Sequence, residues 1–133
     1  MATITEEYVS FETAKLLKEK GFNAQCRAAY TDYGKLFTTQ IQQYVTNIIC
    51  SKGNLWECIA PTHQMAMAWL REVHNIVIII EPHLYDYVNE KNKSYVTSLW
   101  QGDNYYENIT SKDYPSYEEA VEAACIYALK NLI

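Results

Sequence analysis

The stretch PTHQMAMAWLREVHNIVIII, residues 61–80, decides the fold, because it sets a helix directly before a strand. Pro61 and Thr62 open the helix, with proline in the first turn where its missing amide costs nothing, and the pattern carries it to about His74. Met65, Ala66, Trp69, Leu70 and Val73 recur at helical spacing and are expected to form its buried stripe. Methionine and tryptophan at this spacing read as core packing rather than as a cofactor box. Ile76 to Ile80 shows no polar alternation, so both of its faces are expected to be covered and the strand to lie centrally in a sheet.

Toward the N-terminus, Phe11 to Lys20 reads as a second helix. Ser10 can accept a hydrogen bond from the first turn, Glu12 complements the positive helix end, and Gly21 supplies the left-handed residue that stops it. Thr13, Ala14, Leu16 and Leu17 share one side, and Glu12, Lys15, Lys18 and Glu19 the other. Asn23 to Tyr30 alternates, with Ala24, Cys26, Ala28 and Tyr30 on one face, and predicts a strand. Asp32 to Lys35 then makes a hairpin turn into Leu36 to Thr38. Residues 41–49 are read as helix from the spacing of Ile41, Tyr44, Val45, Ile48 and Ile49, although their β-branched types also suit a strand. Leu55 to Ile59 reads as a short strand.

Toward the C-terminus, Asn89 to Lys93 is polar enough for a hairpin loop between Leu84 to Val88 and Tyr95 to Trp100, and Pro82 marks a bulge or an edge exit. Ser116 and Glu119 stand at capping-box spacing, and the helix they open is expected to reach the C-terminus with Ala120, Val121, Ala124, Cys125, Ala128 and Leu132 buried. The expected fold is therefore a single α+β domain over residues 1–133. It is a two-layer sandwich of a mainly antiparallel sheet with three or four helices largely on one face.

Three blocks, YVSFETAKLLKEKGF (Tyr8 to Phe22), APTHQMAMAWLREVHNIVI (Ala60 to Ile78) and YPSYEEAVEAACIYALKNLI (Tyr114 to Ile133), resemble a family of short uncharacterised proteins from phages and integrated mobile elements of gut bacteria. The resemblance covers somewhat under half of the chain and implies a phage or prophage setting. It carries no catalytic or binding residue across. Residues 40–58 and the tyrosine-rich stretch near Tyr105 lie outside these blocks.

Composition excludes several function classes. Cys26, Cys50, Cys58 and Cys125 include no close pair, so neither a zinc ribbon nor a thioredoxin-like site is present, and reduced core thiols are expected. Glu6, Glu7 and Glu12 interrupt the first twenty residues, which therefore do not read as a signal peptide, and Ile76 to Ile80 is too short to span a bilayer. A cytoplasmic location in the bacterial host cell and no membrane association are expected. His63 and His74 fall on nearly one helix face but roughly 16 Å apart, too far for one ion. Glu81, His83 and Asp86 could meet a metal only if the chain bends at Pro82, and without a ligand pair at helix spacing no metal and no cofactor are expected. Neither an activated nucleophile nor a glycine-rich phosphate loop is visible, so an enzyme would need an unrecognised site.

The net charge is −5, and residues 101–133 carry −4 of it. An acidic chain without a basic stripe is a poor nucleic-acid binder, because phosphate neutralisation supplies most of that affinity. Twelve tyrosines are the clearest compositional excess. Tyrosine offers a rigid apolar face with a water-tolerant hydroxyl. Tyr105, Tyr106 and Tyr114, with Ile126 projecting among Glu119, Glu122 and Lys130, are the candidate interface for a host factor or for a second copy in a homodimer. The leading expectation is a non-enzymatic accessory protein that binds a protein. A small-ligand sponge or sensor is the alternative, and an enzyme the third reading.

Overall fold

Ser10 starts the first helix, α1 (Phe11–Glu19), by accepting from the Thr13 amide at 3.2 Å. The end of the helix is equally specific. Gly21, at φ +95°, lets its own amide reach the Lys18 carbonyl and the Phe22 amide reach that of Leu17, while the Leu17 and Phe22 side chains are both buried. The computed structural model describes residues 7–38, 46, 56–84 and 93–133. The chain divides into two compact units, Met1–Ala66 and Met67–Ile133. Among the described residues it is α+β, with three helices and two antiparallel three-stranded sheets, where the sequence suggests one sheet.

In the first unit, strands β1 (Ala28–Thr31), β2 (Leu36–Thr38) and β3 (Trp56–Ile59) pair in the order β2-β1-β3. The strand predicted from Asn23 begins only at Ala28, and Ala24 is exposed. All four β1 residues are buried, as suits a central strand, and the alternation read into residues 23–30 does not continue through it. The predicted turn is present. Gly34 takes φ +84°, its amide donates to the Thr31 carbonyl, and Thr31 Oγ1 accepts from the Lys35 amide at 3.0 Å. Tyr30 donates its hydroxyl to the Val9 carbonyl at 2.6 Å, and its ring meets Phe11 at 5.2 Å. Residues 7–9 run antiparallel to residues 61–63 through the Val9 amide on Pro61 and the His63 amide on Glu7.

Helix α2 (His63–His74) is capped by Thr62, whose Oγ1 accepts from the Met65 amide, so Pro61 precedes the cap instead of occupying the first turn. Ala66 and Leu70 are fully buried and Met65 and Trp69 half-buried, but Val73 is 60% exposed. In the last turn Arg71, Glu72 and Val73 are exposed and His74 alone is half-buried.

In the second unit, β4 (Ile76–Leu84), β5 (Lys93–Gln101) and β6 (Asn104–Tyr106) pair in the order β4-β5-β6. Ile76–Ile80 is therefore on an edge strand among the described strands, not at the centre. The unbroken apolar run misled because its coverage varies along the strand: Ile76 is fully buried, Ile78, Ile79 and Ile80 are half-buried, and Val77 is 38% exposed. An edge also tolerates Pro82, which pairs opposite Tyr95 within β4. Helix α3 (Tyr117–Asn131) begins as predicted, with Ser116 Oγ accepting from the Glu119 amide at 3.1 Å and donating to Glu119 Oε2 at 3.2 Å. Ala120, Val121, Ala124, Cys125, Ala128 and Leu129 are its buried side, and Leu132 is only half-buried. The readings of residues 41–49 as helix, of Tyr85 to Val88 as strand and of Asn89 to Asn92 as loop, together with Cys50, lie outside the described residues.

Candidate functional site

The faces of the second sheet follow from side-chain alternation along β5. Tyr95 contacts Tyr117 of α3 edge-on at 6.2 Å, and Gln101 Nε2 donates to the Leu132 carbonyl at 3.2 Å. Tyr95, Thr97, Leu99 and Gln101 thus face α3, and Thr97 and Leu99 are fully buried there. Ser94, Val96, Ser98 and Trp100 face the other way.

On that other face, register aligns Val77 of β4 with Trp100 of β5, and Trp100 with Tyr105 of β6. The three side chains make an apolar row across the sheet, 38%, 42% and 45% exposed, with the Trp100 and Tyr105 rings at 5.0 Å. Four residues farther along β5, roughly 13 Å at strand rise, a cleft of about 270 Å³ is lined by Glu81, Pro82, Val96, Ser98, Glu107 and Asn108. Its floor is held by the Asn108 amide, which donates to Ser98 Oγ at 3.1 Å. Both ionisable groups of this cleft, Glu81 and Glu107, are carboxylates on exposed residues. The same face therefore presents an apolar row and an acidic cleft one short strand-length apart.

The four candidate residues named from sequence are distributed differently. Tyr105 joins the apolar row, whereas Tyr106, the next residue on the strand, aligns with Leu99 on the α3 side and is 37% exposed. Tyr114 bridges Tyr95 through two backbone hydrogen bonds of 2.8 Å, about 17 Å along β5 from Trp100. Ile126 is half-buried on α3, which covers the face opposite Tyr105. Val77 and Trp100 were missed. The signal was the turn Gln101-Gly102-Asp103-Asn104, where Gly102 at φ +59° makes a two-residue hairpin that sets residue 100 opposite 105.

The first unit exposes its own apolar residues on the β1–β2 hairpin, Tyr33, Leu36 and Phe37. There Lys35 Nζ already sits over the Phe37 ring at 5.0 Å, in keeping with a solvated hairpin. This unit also holds a cleft of about 300 Å³ lined by Tyr8, Gln25, Cys26, Arg27, Ala60, Thr62 and Met65.

His63 is buried at the start of α2, and His74 closes the helix with its ring edge-on to Trp69 at 4.6 Å. His74 Nε2 is buried without a hydrogen-bond partner among the described residues, and neither histidine lines either cleft. His83 pairs with Ser94 in the β4–β5 register, and Asp86 is outside the described residues. Among the described residues no group of three His, Cys, Asp or Glu side chains could hold a metal ion, and no helix is long and apolar enough to cross a membrane. Burial, with Glu122 adding to it, pushes the Cys125 thiol up to about 12. Set beside protein families, curated proteins and solved structures, the chain matches none.

Proposed function

We propose that this chain is a non-enzymatic accessory protein of a phage or integrated mobile element, acting in the bacterial cytoplasm by holding a partner protein on the open face of its second sheet. The reading takes each unit as two layers, a sheet with a helix on one side. The observation that carries it is the row Val77, Trp100 and Tyr105, left exposed although Ile76 and Leu99, next to Val77 and Trp100 on the opposite face, are fully buried. Large aromatic side chains exposed together on a rigid sheet resemble the anchors that dominate protein interfaces.

The surroundings favour one kind of partner. Glu81, Glu107 and the exposed Asp103 flank the row, so the complementary surface carries Lys or Arg about four strand residues from an apolar anchor. A second copy of the chain would bring carboxylates toward carboxylates, at a net charge of −5 on each copy. A basic host factor is therefore favoured over a homodimer.

The test is affinity capture from a gut-bacterial lysate on the wild type, on Trp100→Ala and on the pair Glu81→Gln with Glu107→Gln. The expected outcome is a basic protein retained by the wild type, lost on Trp100→Ala and released by the double variant at lower salt. Identical retention by wild type and Trp100→Ala, with both folded by circular dichroism, would overturn the proposal.

A further inference from the structure

We infer, on the footing of the docking reading, that the partner's segment on the open face is an amphipathic α-helix lying along β5, apolar over the row and basic over the acidic cleft. The opposite face of the same sheet already carries a helix in that direction. Tyr95 meets Tyr117 at the start of α3, and Gln101 Nε2 meets the Leu132 carbonyl at its end, so α3 runs along β5. The lengths agree, since Tyr95 to Gln101 covers roughly 20 Å at strand rise and Tyr117 to Leu132 roughly 22 Å at helical rise. Helices on both faces of one sheet are a standard layer arrangement, and here the second layer is left to a partner.

The row fits a helix in width. Val77, Trp100 and Tyr105 stand side by side on β4, β5 and β6, so the row spans about 10 Å across the strands. A helix with its side chains is about 10–12 Å wide and covers all three at once, whereas an extended segment along β5 covers one strand spacing of about 5 Å. The cleft fixes the charge pattern. Val96 of its lining is roughly 13 Å along β5 from Trp100, and two helical turns advance about 11 Å and return to the same side, so a long side chain seven residues past an apolar anchor reaches it. The lining holds Glu81 and Glu107 and no Lys or Arg, and neither carboxylate has an ion pair among the described residues. Arginine suits it best, because its guanidinium meets a carboxylate with two parallel hydrogen bonds. The helix that fits is therefore apolar at i, i+3 and i+4 and carries Arg at i+7 and i+8.

The experiment titrates a synthetic alanine-rich peptide with Leu and Arg in that pattern into the full chain and follows amide chemical shifts. Two control peptides replace both Arg with Glu, or place a proline at the centre to break the helix. The Arg peptide is expected to move the resonances of Val77, Trp100, Tyr105, Glu81 and Glu107 saturably, and to bind about tenfold more tightly than either control. Trp100→Ala is expected to abolish its binding, and the pair Glu81→Gln with Glu107→Gln to remove the preference for Arg over Glu. Equal binding of the proline peptide at the same residues would overturn the helix and leave the docking reading standing. An Arg peptide that moves none of these residues, while capture from lysate still depends on Trp100, would do the same. Shifts of these residues on concentrating the chain alone would put a second copy in the seat and overturn the inference.

Discussion

Adjacent faces of the second sheet should differ sharply in what truncation costs, and Leu99→Ala against Val77→Ala measures the difference. Leu99 is fully buried on the central strand between Ile78 and Tyr106 and faces α3. Truncation removes three carbons at about 0.8 kcal/mol each, and the residual cavity raises the total to about 3–4 kcal/mol. Val77, 38% exposed on the other face, loses two carbons of which somewhat over half the surface is covered, or about 1 kcal/mol. In thermal unfolding followed by near-ultraviolet circular dichroism, these values correspond to a fall in Tm of roughly 10 °C for Leu99→Ala and about 3–4 °C for Val77→Ala. Equal losses for the two variants would mean that the open face is buried in solution, and would refute the assignment of faces on which the docking surface rests.

Three further outcomes follow from local geometry. Ser116→Ala removes the acceptor of the Glu119 amide and should cost about 1 kcal/mol in urea denaturation, with α3 fraying first in amide exchange; no change would show the cap to be idle. Gly34→Ala forces an L side chain to φ +84° and sets its Cβ 3.0 Å from Phe11 Cδ2, so a loss of at least about 1 kcal/mol is expected, and an unchanged midpoint would contradict the turn. For Cys125, the folded-state value lies above the ordinary 9.0, so the thiol adds no pH dependence below about pH 9. As pH rises from 9 toward 12 the unfolded chain loses this proton first, and stability declines. Cys125→Ala should decline less steeply over that window, and matching slopes in pH-dependent denaturation would speak against a deeply buried thiol.

Helix ends were the most legible part of the fold, because capping chemistry is local. Ser10 and Gly21 around α1, and Ser116 and Glu119 at α3, need only residues within one turn of each other. The turn at Gly34 was legible for the same reason. Strand placement was not, because it depends on partners far along the chain. Ile76–Ile80 reads as a doubly covered central strand, yet Gln101-Gly102-Asp103-Asn104 folds β6 onto the far side of β5, and β4 is the other edge among the described strands. Apolar residues on the open face of an edge strand and residues in a core look the same in one dimension. The candidate surface suffered from that ambiguity directly. Tyr105 was legible from the tyrosine excess, whereas Val77 and Trp100 became its neighbours only through register. Tyr114 and Ile126 are close to Tyr105 in the chain or in composition, but strand pairing and the placement of α3 set them elsewhere.

The central claim is that the row of Val77, Trp100 and Tyr105 docks a basic protein, and hydroxyl-radical footprinting of the chain with its captured partner tests it most directly. The account predicts that oxidation of Trp100 and Tyr105 drops several-fold in the complex while Tyr33 and Phe37 on the β1–β2 hairpin stay as reactive as in the free chain. Protection of Tyr33 and Phe37 with Trp100 and Tyr105 unchanged would contradict it and move the interface to the first unit.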